Sequence, residues 1–321
     1  MTSHRVIAIV VNYNGGQLLS ECIRSLLSQS RPFDRILIVD NASSDDSLKA
    51  IEAEFQGVDI LRQPTNIGFA AANNLAARAD TTADYIALVN PDAAPRPDWL
   101  AELLEEAGRA PGTASFASLT LNTNNPDIID GAGDAYHASG LVWRKGHGQA
   151  LADFRTLETR CFSACAAAAL YRRSAWDEVG GMFEPYFCYQ EDMDLGFRLR
   201  LAGYDCRLVP SAIALHHGSA ITGKDSEFAL FHGHRNLVWT FFRNMPGPLL
   251  LVLLPMHLLA QIYLILRHIP GKQGRTISKA FIAAWKALPT LWAERKAIQR
   301  HRRASRLDLA RAFSWWPTSK R

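Results

Sequence analysis

Several features that often reveal a function are missing from this sequence of 321 residues. Its five cysteines are odd in number and show no C-x-x-C spacing, so a disulfide framework and a zinc site are both disfavoured. Free thiols in a reducing cytosol are the simplest account. We find no internal repeat and no low-complexity segment. The apolar run from Val6 to Val11 is too short for a signal-peptide core, and we expect it to be the first strand.

The glycine motifs that bind phosphate are also missing. The first loop has the sequence Asn12-Tyr13-Asn14-Gly15-Gly16 and lacks G-x-G-x-x-G, and no Walker glycine-lysine loop occurs anywhere. This argues against a dinucleotide-binding dehydrogenase. Without such a loop, the charge of a bound diphosphate needs another partner, and a divalent metal ion held by Asp92 would supply it.

Charge is unevenly distributed along the chain. The net charge is only +4, and the 48% hydrophobic and 21% charged residues are typical of a globular protein. Basic residues nevertheless crowd the carboxyl-terminal end: Arg295, Lys296, Arg300, Arg302, Arg303, Arg306, Arg311, Lys320 and Arg321. This asymmetry favours an anionic surface as a partner, and we predict no nucleic-acid partner.

Apolar runs and helical patterns alternate strictly over the first ~90 residues, which predicts a parallel sheet with right-handed crossovers and helices on both faces. The predicted strands there are 6–11, 36–39, 58–61 and 85–89. Polar residues follow each strand: Asn12, Asp40, Asn66 and Asp92. Because ligands bind at the carboxyl ends of such strands, a nucleotide-type pocket at this edge is the default hypothesis.

The strand from Tyr85 to Val89 ends at Asn90-Pro91-Asp92. Pro91 cannot continue the ladder of hydrogen bonds, so the strand stops and Asp92 projects from its carboxyl end. An aspartate in this position is commonly only a turn former. The alternative is a ligand at the sheet edge, which the neighbouring polar residues favour.

A second informative stretch places aromatic residues before Glu191, Asp192 and Asp194 at the start of a helix. Acidic residues there can simply complement the helix dipole. Alternatively, one of them is a general base at a cleft walled by Phe187 and Tyr189.

Later segments are less regular. We predict strands at 113–121, 162–171, 206–209 and 212–215, and an acceptor-side loop region between Asn122 and Thr159. Ser43 or Ser44 is the expected cap of the second helix. The pair His216-His217 follows the last strand and is structural unless an aspartate metal site lies nearby.

Taken together, these motifs resemble the family 2 glycosyltransferases, the inverting enzymes with the GT-A fold, and in particular the bacterial rhamnosyltransferase branch. The resemblance covers roughly residues 5 to 245, in the family's order. The matching stretches are 11–14, 39–45, 66–70, 90–92, 181–183, 190–194, 216–219 and the pair Arg235-Asn236.

The resemblance implies a role for each matching residue. The residues it implies for nucleotide-sugar binding are Asn12, Tyr13, Asn14, Asp40 (to the nucleobase), Asn66, Gly68, Asn90 and Arg235. Asp92 and His216 would hold Mg2+ or Mn2+. Asn90 replaces the first aspartate of the family's Asp-x-Asp metal motif, leaving one carboxylate. Asp192 would be the catalytic base, and Glu191 would position the acceptor.

The resemblance leaves out the carboxyl-terminal part, so we predict a catalytic domain at 1–245 and a helical extension at 246–321. The segment from Leu249 to Leu266 is apolar but contains Pro255, His257 and Gln261. Since a spanning helix needs about 20 apolar residues, an interfacial or re-entrant segment is favoured. The alternative is a helical hairpin packed on the catalytic domain or on a dimer partner.

The sequence thus predicts a metal-dependent inverting glycosyltransferase at the inner face of the cell membrane, acting in cell-surface polysaccharide synthesis. Its donor would be a deoxyhexose nucleotide such as thymidine-diphosphate rhamnose, and its acceptor a glycan or polyprenyl-linked sugar. Two alternatives stay open. One is a sugar-1-phosphate nucleotidylyltransferase, although such an enzyme requires a basic, glycine-rich phosphate-binding loop near the amino terminus, which this sequence lacks. The other is a non-catalytic glycan- or membrane-binding protein.

Overall fold

The computed structural model describes residues 4–154, 159–218, 226–269 and 272–316. Within these ranges, nine of eleven strands form one central sheet, the other two form a separate two-stranded sheet, and helices cover both faces of the central sheet. The strands are β1 (Val6–Asn12), β2 (Arg35–Asp40), β3 (Val58–Arg62), β4 (Tyr85–Val89), β5 (Ala93–Pro95), β6 (Thr113–Asn122), β7 (Asn125–Ala132), β8 (Asp134–Tyr136), β9 (Val142–Arg144), β10 (Ala168–Arg172) and β11 (Asp205–His216). The helices are α1 (Gly16–Leu27), α2 (Ser47–Glu54), α3 (Phe69–Ala79), α4 (Trp99–Arg109), α5 (Arg173–Glu178), α6 (Glu191–Leu201), α7 (Glu227–Asn244), α8 (Gly247–His268), α9 (Lys272–Lys286), α10 (Leu288–Arg300) and α11 (Arg306–Ala312).

The sheet combines a parallel half with a mixed half. Its strand order is β3-β2-β1-β4-β10-β6-β11-β5, and β7 pairs with the end of β6. Strands β3, β2, β1 and β4 are parallel, as the strict alternation predicts. Beyond them, β10 runs antiparallel to both β4 and β6, while β11 is parallel to β6. The predicted α/β class is therefore confirmed, with antiparallel strands that the alternation did not predict.

The buried strands supply both hydrophobic cores. All seven residues of β1 are buried. Ile7 and Ile9 face the core that includes α3, whereas Ala8 and Val10 face the core that includes α1. Successive side chains of a strand point to opposite faces, so a strand covered by helices on both sides is apolar at every position. This packing brings the carboxyl ends of β1, β2 and β4 to one edge.

Two predicted strand boundaries were wrong. The strand expected at 162–171 is only β10, because the preceding residues make other contacts: the peptide N–H of Ala166 donates to the carboxylate of Asp192. The strands expected at 206–209 and 212–215 are one strand, β11, with a shift in register between Val209 and Ile213. Pro210, which cannot donate to the ladder, lies at that irregularity.

The expected helix cap and loop region also differ. Helix α2 begins at Ser47, and the hydroxyl of Ser43 instead accepts a hydrogen bond from the peptide N–H of Asn14. The region between Asn122 and Thr159 contains β7, β8 and β9. All five cysteines are free thiols, as predicted.

The carboxyl-terminal helices pack against one another and against α6. Helix α7 packs against α6, α9 and α10. One apolar cluster joins α6, α7, α8 and α11, and another joins α7, α9 and α10. Pro246 lies between α7 and α8, next to the predicted domain boundary, which stays a prediction.

Candidate active site

The loops after β1 and β2 form the first part of the site. Asn12 is fully buried, and its amide group donates to Asp40 Oδ1 at 2.9 Å and to Ser47 Oγ at 3.0 Å. Its Oδ1 accepts from the peptide N–H of Gly15. Asp40 Oδ2 accepts from the peptide N–H of Ser43 at 3.2 Å. Asn12 therefore fixes Asp40 and the two loops in place.

Two further predicted residues lie on the same loop. The ring of Tyr13 is exposed, which leaves its face accessible at the end of β1. Asn14 has a positive φ of 54°, and its Oδ1 accepts from the peptide N–H of Ser44 at 2.8 Å. Asparagine tolerates this left-handed conformation better than most residues.

The turn before α3 requires glycine. Asn66 Oδ1 accepts from the peptide N–H of Gly68, whose φ is +85°. A Cβ at this position would lie 2.6 Å from a ring carbon of Phe187. The first peptide N–H of α3 donates to the Phe187 carbonyl, so this turn is tied to the loop that precedes α6.

That loop carries unusual backbone strain. Phe187, Tyr189 and Gln190 all have positive φ between 66° and 70°, a conformation that costs non-glycine residues about 1 to 3 kcal/mol each. The buried amide of Asn236 holds the loop by donating to the carbonyls of Tyr186, Cys188 and Tyr189. Such strain persists only where the surroundings enforce it.

Arg235 supports the same loop. Its guanidinium donates to the carbonyls of Pro185 and Tyr186 and lies over the ring of Trp239. The rings of Phe187 and Tyr189 contact Phe228. Direct binding of a nucleotide sugar by Arg235, and a cleft wall formed by the two rings beside Asp192, stay predictions.

The candidate base, Asp192, lies in the first turn of α6. Its carboxylate accepts from the peptide N–H groups of Ala166, at 3.1 Å, and Met193, at 2.7 Å. Burial raises the pKa of Asp192, although these N–H groups and the charge of Arg144 act in the opposite direction. A carboxylate that is held rigidly and made more basic in this way is suited to accept a proton.

Asp194, two residues later, has a different environment. It is completely buried, and it forms ion pairs with Arg198, at 2.7 Å, and with Arg243. Asn244 and Tyr186 also donate to its carboxylate. Burial opposes ionisation, but the two arginines lower the pKa of Asp194 to about 2. Asp194 is thus bound within the protein interior and cannot also act on a substrate.

Asp92 and His216 come together at the carboxyl ends of β4 and β11. Asp92 Oδ1 lies 3.4 Å from His216 Nε2, and both residues are buried. On its other side, His216 Nδ1 lies 2.7 Å from Asp130 Oδ2. Burial acts to lower the pKa of His216, but the flanking carboxylates raise it to about 9.

The Asp92–His216 pair is suited to a divalent cation. His216 Nε2 faces Asp92 Oδ1 at 3.4 Å. Among the described residues, Asn90 Oδ1, in the loop that carries Asp92, is a buried polar atom without a hydrogen-bond partner. A carboxylate and an imidazole that face each other are a common ligand pair. The two carboxylates that stabilise a proton on His216 would equally stabilise a cation beside it.

Glu191 is buried, whereas Gln190 and Asp192 on either side of it are partly exposed. Its Oε2 has no hydrogen-bond partner among the described residues. Burial, together with the charge of Asp192, raises the pKa of Glu191 well above its usual range. A raised pKa favours the protonated carboxyl group, which can donate a hydrogen bond to a hydroxyl group.

Sequence reasoning missed three charged residues of the site: Asp130, Asp134 and Arg144. Arg144 donates to Asp130 Oδ2 at 2.7 Å. Asp134 is buried, and its carboxylate, Cys165 Sγ and the Asp192 carboxylate have atoms within 4.8 Å of one another. Arg144 supplies positive charge to this acidic cluster, so we do not assign a metal there. The sequence signal that could have identified the two aspartates is their position on either side of a glycine-rich segment, Asp130-Gly-Ala-Gly-Asp134.

Comparison with known protein sequences agrees with this geometry. The family described as "Glycosyl transferase family 2" matches residues 7–180. The N-acetylglucosaminyl-diphospho-decaprenol L-rhamnosyltransferase of Mycobacterium tuberculosis is 30% identical over 251 residues, which are 71% of this chain and 81% of the relative. The pre-mycofactocin glycosyltransferase of the same organism is 30% identical over 226 residues, covering 67% of this chain and 43% of the relative.

Solved structures share the fold. GalNAc-T7, solved with UDP, GalNAc and Mn2+, gives a TM-score of 0.61 at 16% identity, over 75% of this chain and 48% of its own. A mannosyltransferase of Pyrobaculum calidifontis, in complex with GDP-Man and Mn2+, gives 0.57 at 18% identity, over 93% and 81%. The predicted GT-A fold is thereby confirmed.

Proposed function

Because the chain belongs to glycosyl transferase family 2, we propose that it is an inverting glycosyltransferase that moves a deoxyhexose from a nucleoside-diphosphate donor to a hydroxyl group of a glycan or lipid-linked acceptor. One observation carries the proposal. Arg144 connects Asp130, the carboxylate that contacts His216, with the surroundings of Asp192. One guanidinium group therefore bonds to the carboxylate that contacts the candidate cation site and also acts electrostatically on the candidate base.

Asp192 would act as the general base. It would take the proton from the acceptor hydroxyl while the acceptor oxygen bonds to the anomeric carbon of the sugar and the bond from that carbon to the diphosphate breaks. A single in-line displacement of this kind inverts the anomeric centre and needs no covalent intermediate. The peptide N–H groups of Ala166 and Met193 would keep the carboxylate in place throughout. Glu191, buried next to it, would position the acceptor.

Asp92 and His216 would hold Mg2+ or Mn2+, with Asn90 beside them. When bound, the ion would neutralise the negative charge of the departing diphosphate. The single carboxylate of this site is supplemented by the imidazole, whose Nε2 lies 3.4 Å from Asp92 Oδ1. The solved mannosyltransferase and GalNAc-T7 contain Mn2+, which supports the same requirement here.

The donor nucleotide would bind at the ends of β1, β2 and β3. Asp40 would bind the nucleobase, and the exposed ring of Tyr13 would lie over it. Asn14, Asn66 and Gly68 would line the nucleoside, on loops that Asn12 fixes from beneath. Arg235 would contribute to donor binding by holding the loop that begins at Pro185 and Tyr186 in place beside the diphosphate.

The chemistry of the relatives narrows the substrates. A protein that covers most of this chain transfers L-rhamnose to N-acetylglucosaminyl-diphospho-decaprenol, as its name states. We therefore propose a rhamnosyl donor, thymidine-diphosphate rhamnose being the first to test, and a polyprenyl-diphosphate-linked acceptor for cell-surface polysaccharide. Such an acceptor resides in a membrane, so the enzyme must reach a membrane surface from the cytoplasm.

Helix α8 offers a surface for that contact. Among the described residues it is the one helix long and apolar enough to cross a membrane, by length and composition only. Its large exposed side chains are Leu251, Val252, Leu258, Leu259, Ile262, Tyr263 and Leu266. Its polar residues face inward instead: His257 Nδ1 bonds to the carbonyl of Ser139, and Gln261 accepts from Trp285. An exposed apolar face, with the polar side chains of His257 and Gln261 turned towards the protein, fits a helix that lies in the membrane interface.

Direct assay would test the proposal. Purified protein with Mn2+ would be offered a panel of nucleotide sugars and a polyprenyl-diphosphate-linked N-acetylglucosamine, with product mass read by mass spectrometry. We expect an added deoxyhexose of inverted anomeric configuration, and no product from Asp192→Asn protein. Formation of a nucleotide sugar from a sugar 1-phosphate and a nucleoside triphosphate would contradict the proposal, as would the absence of transfer or hydrolysis of every donor.

A further inference from the structure

Asp130, on β7, makes contacts that no matched motif assigns. The residue is buried, and its Oδ2 atom accepts from Arg144 at 2.7 Å and from the hydroxyl of Thr120 at 3.3 Å. The same oxygen lies 2.7 Å from His216 Nδ1. Three side chains from three different strands therefore converge on one carboxylate oxygen.

The contact with His216 determines what the other imidazole nitrogen can do. A carboxylate oxygen has no proton to give, so Nδ1 must carry the hydrogen of this bond. In the neutral ring, Nε2 is then left with its lone pair, and it lies 3.4 Å from Asp92 Oδ1. We propose that Asp130 is a positioning residue that holds His216 in the orientation and tautomer that present Nε2, beside Asp92, to a divalent cation. This inference rests on the metal site of the proposed function.

The backbone around Asp130 is built for a close approach. β7 pairs with β6, and Gly131 lies opposite Thr120. A Cβ at Gly131 would lie 3.2 Å from Thr120 Oγ1 and 3.3 Å from Arg144 Cδ, so only glycine lets these side chains reach Asp130 without displacement. The carbonyl of Asp130 also lies 2.7 Å from His147 Nδ1. Asp130 is thus held through its backbone carbonyl as well as through its carboxylate.

The expected effect is a loss of metal affinity. Partners that orient a ligating histidine typically change metal affinity by about 10- to 100-fold when they are replaced. Asp130→Asn keeps the shape of the side chain but removes the charge that pairs with Arg144 and His216. The matched control is Asp127→Asn, because Asp127 is an exposed residue of the same strand.

Mn2+ binding to the full chain, followed by electron paramagnetic resonance in the absence of donor, tests the inference. Affinity should fall about 10- to 100-fold in Asp130→Asn and stay unchanged in Asp127→Asn, with thermal unfolding of the metal-free proteins confirming the fold. Equal affinity of Asp130→Asn and the unaltered protein overturns the inference. Absence of Mn2+ binding to the unaltered protein, both with and without a nucleoside diphosphate to complete the coordination, overturns the metal site itself, which is a separate failure.

A second measurement needs no variant of Asp130. Nitrogen-15 NMR of histidine side chains in the Mg2+-saturated protein should show a proton on Nδ1 of His216 and none on Nε2, the signal being assigned by its loss in His216→Gln. A proton on Nε2, with or without one on Nδ1, would overturn the inference even if Asp130→Asn does not fold.

Discussion

Arg144 donates a hydrogen bond of 2.7 Å to Asp130 Oδ2 and so joins β9 to β7, between Asn122 and Thr159, where the sequence predicts a loop region. Asp130 contacts His216, which is proposed for the cation site, and Arg144 acts electrostatically on Asp192, which is proposed as the base. Its charges are close enough to influence both: Arg144 acts on the pKa of Asp192, and Asp130 acts on that of His216. Substitution of Arg144 should therefore change the rate of transfer through the pKa of Asp192, and not through a contact between Arg144 and the substrate.

Arg144→Gln should shift the pH dependence of transfer. The positive charge of Arg144 lowers the pKa of Asp192, so its removal raises that pKa further. Since a general base must be deprotonated, the acidic limb of the kcat profile should move to higher pH. The measurement is kcat against pH at saturating Mn2+, with Arg160→Gln, an exposed arginine, as the control. An acidic limb that stays in place, or moves to lower pH, would show that Arg144 does not act on the base.

Asp192→Asn should abolish transfer while sparing donor binding. The amide nearly preserves the shape of the carboxylate but cannot accept the acceptor proton, and the loss of a general base costs roughly a hundred- to ten-thousandfold in rate. Transfer rate and donor affinity would be measured side by side. The assignment of the base is wrong if Asp192→Asn keeps near-normal transfer and Asp194→Asn, equally folded, does not.

Asp194→Asn should instead destabilise the protein, and in a pH-dependent way. Removal of one partner from a buried ion pair typically costs about 3 to 5 kcal/mol, and here Arg198 and Arg243 both lose their partner. The pKa of Asp194 is about 2 in the folded protein, below the ordinary value of 3.8. Its stabilising contribution is therefore present above pH ~4 and is lost as pH falls towards ~2.

Urea unfolding at several pH values would measure this effect. The difference in free energy of unfolding between the unaltered protein and Asp194→Asn should be largest near neutral pH and should shrink between pH ~4 and ~2. A difference that is constant over that interval would contradict the linkage. Asp205→Asn, an exposed carboxylate after the same helix, serves as the control.

The sequence predicted best those site residues that directly follow a buried parallel strand. Asp40 and Asp92 follow buried apolar runs, so their common edge could be inferred from alternation alone. Asp130 and Arg144 could not be inferred in this way, because β7 begins with three exposed residues and β9 has only three residues, so neither strand shows an apolar period. Asn12 was expected at the floor of the nucleotide site, which stays a prediction, but its hydrogen bonds to Asp40 and Ser47 could not be read from the sequence.

Removal of divalent metal should stop transfer. Asp92 and His216 provide two ligand atoms, and the remaining coordination would come from the diphosphate and water, so a chelator in excess should withdraw the ion. Activity should return on addition of Mn2+ or Mg2+, and His216→Gln should need a higher concentration of either ion. Full turnover in excess chelator would show that side-chain cations, Arg235 among them, carry the diphosphate charge instead.

Leu259→Glu should weaken binding to anionic vesicles. Leu259 is 66% exposed in the centre of the apolar face of α8, and burying a leucine side chain in an apolar phase is worth about 1.5 to 3 kcal/mol, or roughly tenfold or more in partitioning. The matched control is Leu307→Glu, because Leu307 is 59% exposed on α11 and outside that face. Co-sedimentation with vesicles containing anionic lipid, at low and high salt, would separate the apolar contribution from that of the basic tail, since only the latter is screened.

Equal recovery of the unaltered protein in the soluble fraction with and without lipid would contradict membrane attachment. Self-association that Leu259→Glu abolishes would then assign the apolar face of α8 to a second copy of the chain.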